Sequence, residues 1–182
     1  MPKAGRTLLA ALFFSLLLAT AAAQTGARAR DLGVPFDGTP GPLNAITDVK
    51  GVEVGETTLI SGSGPLKVGV GPVRTGVTAI LPRGHNFKDS VFAAWFTLNG
   101  NGEMTGTTWV EDSGFLDGPV MITNTHSVGV VRDAVIAWRV KNAPPDDDGY
   151  WWSLPVVAEP RCAGLTDIHG SHDQPEQFFH VR

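Results

Sequence analysis

The stretch that most constrains the fold runs from Pro119 to Asn142, PVMITNTHSVGVVRDAVIAWRVKN. Val120-Met121-Ile122 reads as a short buried strand. After the polar Thr123-Asn124-Thr125-His126-Ser127, apolar residues recur at helical spacing at Val131, Val135 and Trp138. The spacing therefore predicts strand, polar turn and helix, the helix running from about Val128 to Lys141. Such a helix start leaves backbone N–H groups and the positive end of the helix dipole beside Asn124, Thr125 and Ser127, a place suited to a carboxylate or a developing oxyanion. Ser, Thr and Asn are also the ordinary helix caps, so plain capping is the competing reading.

The rest of the chain reads as a sheet around this unit. Three glycine-bounded segments rich in β-branched residues, Val52 to Ile60, Leu66 to Val73 and Val77 to Leu81, are expected as consecutive strands. Val91 to Leu98, VFAAWFTL, is apolar throughout and fits a strand covered on both faces. The turn NGNGEMTG, Asn99 to Gly106, follows it, and Thr107 to Asp112 continues the strand pattern. Pro144, Pro145 and three successive aspartates then mark an exposed loop. Tyr150-Trp151-Trp152 leads from there into an apolar strand that ends in Glu159. A carboxylate at the end of a buried strand needs a partner or a function. Before the first strand, Ala29 to Asn44 carries Pro35, Gly38, Pro40, Gly41 and Pro42 too close together for a regular element.

Composition narrows the function. With 182 residues, 42% hydrophobic and 18% charged, the chain can build one core. Its net charge is −4 and it has no basic stripe to hold a phosphate backbone, so nucleic acid is not an expected partner. Met1 to Ala23 has Lys3 and Arg6, an apolar run from Leu8 to Leu18 and then Ala21-Ala22-Ala23, the plan of a secretory signal peptide. Cleavage after Ala23 would leave 24–182 as one exported domain, periplasmic or secreted. Cys162 is the single cysteine, so no internal disulfide forms. His169-Gly-Ser-His172, with Cys162, Asp167, Asp173 and His180 nearby, contains zinc-ligand types. The spacing matches no defined zinc pattern, so no metal is assigned. The sequence has no GxGxxG and no GK[ST], so no nucleotide site is read either.

Several stretches together resemble the DmpA-like L-aminopeptidase/D-esterase and β-peptidyl aminopeptidase family. They are RDLGVPFDGTPGPLNAITDVKGVEVGETTLI, GPVRTGVTAILPRG, AAWFTLNGNGEMTGTTWVEDSG, ITNTHSVGVVRDAVIAW and WSLPVVAE, in the family's order from about Arg30 to Glu159. The resemblance implies an α+β fold, an αββα sandwich, and a serine-type aminopeptidase that needs no cofactor or metal. The precursor cuts itself, and the freed N-terminal Ser or Thr of the second subunit becomes the nucleophile, with its own α-amino group able to take the proton. The expected substrate is the amino-terminal residue of a peptide, amide or ester. The expected partners are that second subunit and further copies in a homo-oligomer.

Carried over by position, Glu159 matches the family acid beside the substrate's free amino group, where a charge-assisted hydrogen bond selects an ammonium. Asn101, Glu103, Asn124 and His126 lie in segments that match those near the family's active centre and are expected to shape the pocket. Arg161 stands where the family has the tyrosine that lines the site, and Glu56 stands where histidine is common. After Glu159 the family's Thr-Tyr-Asp-Gly and Leu-Asn-Asp-Ile-Asn-Gly are replaced by Pro160-Arg161-Cys162-Ala163 and Leu165-Thr166-Asp167-Ile168-His169-Gly170. Family members run well past the matched segment, so no catalytic residue is assigned here. The 182 residues are expected to be the amino-terminal, α-subunit part, inactive alone and poorly soluble without the strands of the second subunit. The alternative is a non-catalytic exported protein that binds the free amino terminus of peptides. A purely structural secreted domain is the third reading.

Overall fold

The computed structural model describes residues 26–85, 90–142, 152–160 and 164–173; the leader, Arg161, Cys162 and His180 lie outside them. The chain divides into two compact units, Met1–Pro40 and Gly41–Arg182. In the first, a single turn closes where Leu32 N–H donates to Arg28 O at 3.2 Å and Val34 N–H to Ala29 O at 3.0 Å. The Arg30 guanidinium lies 5.1 Å from the centre of the Phe36 ring, a cation–π contact.

The second unit is α+β. Its main sheet has four strands in the order β1-β2-β5-β6: β1 Glu53–Ser61, β2 Val73–His85, β5 Val120–Ile122 and β6 Val156–Ala158. A second, two-stranded ladder pairs β3 Val91–Phe92 with β4 Phe115–Leu116. The helices are α1 Thr107–Ser113 and α2 Val128–Asn142. β1 and β2 run antiparallel from Glu53↔Leu81 to Ser61↔Val73, and β2 meets β5 antiparallel at Ala79↔Met121. β5 and β6 are parallel, with Met121↔Val157.

Alternation along β2 sends Val77 and Ala79 to the same face as Met121 and Val157, and α2 covers that face with Val128, Val131, Ala134 and Val135. Trp138, one of the residues that predicted the helix, packs at the margin of this cluster. The strand–turn–helix reading of Pro119 to Asn142 therefore holds.

Three expectations are corrected. Leu66–Val73 is not a strand: only a Lys67–Gly71 bridge forms, and Val73 together with the whole of the expected third strand, Val77–Leu81, belongs to one 13-residue β2. Gly69 and Gly71 sit at φ 75° and 117°, and Pro72 has no N–H for a ladder, so the extended chain breaks there. Val91–Leu98 is a strand only at Val91–Phe92, and Phe92, Phe96 and Leu98 are 86–88% exposed. An apolar run becomes a buried strand only where layers cover both faces, and the described residues supply none there. Thr107–Asp112 lies in a helix, not a strand. Its β-branched Thr107, Thr108 and Val110 mimic a strand, but Gly106 and Gly114 frame a single helical stretch too short to display a 3.6-residue period.

Candidate active site

β5 and β6 point the same way, so their carboxyl ends lie side by side. The pairing continues one residue past the strands, where Thr123 N–H donates to Ala158 O at 3.0 Å, bringing Thr123 and Glu159 into register. Loops at such an end are free to carry side chains that the rigid sheet positions.

Glu159 is held from its other side by the NGNGEMTG segment, which docks along β6. Glu159 N–H donates to Glu103 O at 3.3 Å, and Thr105 N–H donates to Val157 O at 3.0 Å. The Thr105 hydroxyl donates to Pro155 O at 2.7 Å and accepts from Val157 N–H at 3.0 Å. Gly102 lies beside the carboxylate: a Cβ added there would sit 3.6 Å from Glu159 Oε1, in ordinary van der Waals contact. Glu159 Oε2 is buried and has no hydrogen-bond partner among the described residues. A buried carboxylate oxygen without a donor is costly unless something else donates to it.

Asn124 is 5% exposed and caps the turn Thr125–Ser127, its side chain accepting from His126 N–H at 3.1 Å. That turn runs directly into α2. The capping reading is therefore realised, with the first donor of the helix start already used by Asn124. The amide of Asn124 also belongs to a buried network. Its Nδ2 donates to the Thr75 hydroxyl at 2.9 Å and to Asp173 Oδ2. The Thr123 hydroxyl donates to Gly76 O at 3.1 Å and lies 3.4 Å from the same carboxylate oxygen. Asp173 and Thr123 are 2% and 1% exposed.

The segment Thr166–Asp173 that delivers Asp173 is stapled to the start of β2. Asp167 N–H donates to Pro72 O at 2.9 Å, and Arg74 N–H donates to the Thr166 hydroxyl at 2.9 Å. Asp167 Oδ2 accepts from Gly69 N–H at 2.7 Å and pairs with His172 Nε2 at 2.9 Å. The hydrogen bond from His172 is the main reason its carboxyl sits below the ordinary range; burial opposes this, and the Gly69 and Gly170 amides reinforce it. His169 turns the other way, its ring 4.8 Å from that of His126, centre to centre. The segment's side chains thus go to three different places: Asp167 and His172 pair with each other, His169 lies against His126, and Asp173 joins Thr75 and Asn124. Among the described residues no group of three His, Cys, Asp or Glu side chains could hold a metal ion.

The structure joins Glu159 to Glu103 through the backbone and Asn124 to His126 through the cap, and it sets the two pairs at neighbouring strand ends. Asn101 is exposed, and its N–H donates to Asn99 Oδ1 at 2.8 Å within its own loop. Arg161 lies outside the described residues. Sequence reasoning missed Thr75, Thr123 and the use of Asp173, because nothing in their spacing marks three positions from three distant segments as neighbours. A cleft of about 440 Å³ lies elsewhere, between the exposed run Ala93–Thr97 and α1.

Residues 44–181 match the model of peptidase family S58. The chain is 59% identical over 166 residues to beta-peptidyl aminopeptidase BapA of Sphingosinicella microcystinivorans, covering 91% of this chain and 41% of that protein. It is 49% identical over 163 residues to the BapA of Sphingosinicella xenopeptidilytica, covering 90% and 40%. Among solved structures it superposes on the L-aminopeptidase D-Ala-esterase/amidase of Ochrobactrum anthropi, described as a variant of the Ntn hydrolase fold. The TM-score is 0.75 at 44% identity, over 86% of this chain and 44% of that one. The chain thus spans about two-fifths of the length of the curated relatives it matches.

Proposed function

This chain belongs to peptidase family S58, and on that footing we propose that it is the substrate-recognising, amino-terminal part of a self-processing aminopeptidase that removes amino-terminal residues, β-residues among them, from peptides, amides or esters. The observation that carries the reading is Glu159. Its Oε2 is buried and lacks a donor among the described residues, and the carboxylate lies where β6 ends beside the docked NGNGEMTG loop. A substrate ammonium would supply the donor, and the pairing would select free amino termini. The names and identities of the BapA relatives support the substrate class.

In this reading the nucleophile, a Ser or Thr freed at the start of a second subunit, is supplied by sequence outside these 182 residues. The same subunit would cover the apolar Val91–Leu98 run, whose exposure in this chain is the mark of a surface that needs a partner. The protein would be exported, with Met1 to Ala23 removed, and would assemble as an oligomer of processed heterodimers.

The test is expression of the complete polypeptide that contains this sequence, with mass spectrometry for self-cleavage and assays on β-alanyl and L-alanyl p-nitroanilides. Free-amine substrates are expected to be cleaved and N-acetylated ones refused. Glu159→Gln should lower kcat/KM about 10- to 100-fold, as expected for loss of one charge-assisted hydrogen bond. Equal cleavage of acetylated substrates would refute the role of Glu159, and binding of free-amine peptides without turnover would favour the non-catalytic alternative.

A further inference from the structure

Asp173 is 2% exposed, and no cation pairs with it among the described residues. Its Oδ2 collects the Thr75 hydroxyl at 2.9 Å, the Thr123 hydroxyl at 3.4 Å and the Asn124 Nδ2, while its Oδ1 has no partner among the described residues. These groups come from β2 and from the two residues that follow β5, and the one hydrogen of the Thr123 hydroxyl also serves Gly76 O at 3.1 Å.

The chemistry of these partners decides which way the Asn124 amide faces. A carboxamide can be turned over with little change in shape, exchanging its oxygen for its nitrogen. Thr75 favours the same orientation, because its one hydroxyl hydrogen is given to Asp173 and leaves only a lone pair for Asn124. A carboxylate only accepts. With Asp173 beside it, a flipped Asn124 would place oxygen against oxygen and would turn its NH2 toward the His126 N–H, leaving two repulsive contacts in place of two hydrogen bonds. In the observed orientation both Nδ2 hydrogens are used, one on Asp173 and one on Thr75, and Oδ1 is left for His126.

The geometry points to Asp173 as a positioning residue, one that locks the Asn124 amide and, through it, the turn carrying Asn124 and His126 past the end of β5. Its functional weight rests on the reading of that end of the sheet as the substrate site. Its structural part does not.

The experiment is hydrogen exchange of side-chain amides in the 15N-labelled complete polypeptide that contains this sequence, after any self-cleavage, with the Asn124 signals identified by their loss in Asn124→Ala. In the wild type both Asn124 amide protons should exchange slowly; fast exchange there overturns the proposal without any variant. Asp173→Ala should speed their exchange at least tenfold and expose the His126 N–H. Asp173→Asn keeps one carbonyl acceptor and should restore slow exchange. Asp173→Ala that folds with the Asn124 protons still protected would overturn the assignment. In peptidase assays of the complete polypeptide, Asp173→Ala and Asn124→Ala should lower kcat/KM by similar factors, and the double variant should fall little further. Additive losses would refute the link. A wild type without activity would sink the function proposed above and leave the exchange result to decide the role of Asp173.

Discussion

Gly106 offers a sharp test of how the NGNGEMTG segment is held against β6. It has φ 73° and ψ −2°, a left-handed conformation that costs a residue with a Cβ about 1–2 kcal/mol. A Cβ at Gly106 would also lie 2.7 Å from Leu154 O and 2.8 Å from Pro155 O, closer than such atoms approach, and both obstacles are backbone. Relief requires the segment to back away from β6. That motion strains three hydrogen bonds: Thr105 N–H to Val157 O, the Thr105 hydroxyl to Pro155 O, and Val157 N–H to the Thr105 hydroxyl. At about 1 kcal/mol each, partial loss of these adds about 1–3 kcal/mol, so Gly106→Ala should cost about 2–5 kcal/mol in all. Gly114 is the internal control. It has the same φ of 73° but nothing within 4 Å of its added Cβ, so Gly114→Ala should cost only the conformational term of about 1–2 kcal/mol. Urea unfolding followed by circular dichroism measures both, and amide exchange at Thr105 and Val157 reports whether the segment has detached. Equal destabilisation by the two substitutions, with Thr105 and Val157 still protected in Gly106→Ala, would refute the close-docking argument.

Two further predictions follow from buried polar groups that hold the framework. Arg139 is 8% exposed and donates from Nη1 to Asp117 O and Ser153 Oγ, each at 3.0 Å; burial lowers its pKa and the Asp117 charge partly offsets this. Arg139→Ala should therefore cost about 3 kcal/mol in urea unfolding, and Arg139→Met, which keeps the packed stem, clearly less; equal costs would show that the hydrogen bonds dominate. Asp167 has a depressed carboxyl pKa in the folded chain, so its contribution is present above the ordinary value of 3.8 and is lost as pH falls through the lower folded value. Stability should thus decline below about pH 4 in the wild type. Asp167→Asn should flatten that decline while lowering stability at neutral pH, and an unchanged acid limb would refute the assignment.

Much of the candidate site was legible because its residues sit in two continuous stretches. Thr123 to Val135 announces its own turn and helix, so Asn124 and His126 could be placed before any contact was known. Glu159 stood out as a carboxylate ending an apolar run, and the family's motif gave it a role. Thr75, Thr123 and Asp173 were not legible as partners, since 48 residues of chain separate the first two and 50 more separate Thr123 from Asp173. Only β2 lying beside β5, and the stapling of Thr166–Asp173 to the start of β2, brings the three together.

The secondary-structure errors have the same origin. Local sequence determined β1, β5 and α2, because each carries its period or its β-branched run between clear breakers. Whether VFAAWFTL becomes a buried strand depends on what packs against it, and whether TTWVED coils or extends depends on the glycines that frame it and on the fold around it. Hydrophobic pattern records which residues leave water. Tertiary structure alone decided which surfaces receive them, and it set the buried oxygens of Glu159 and Asp173 among neighbours that one-dimensional spacing does not encode.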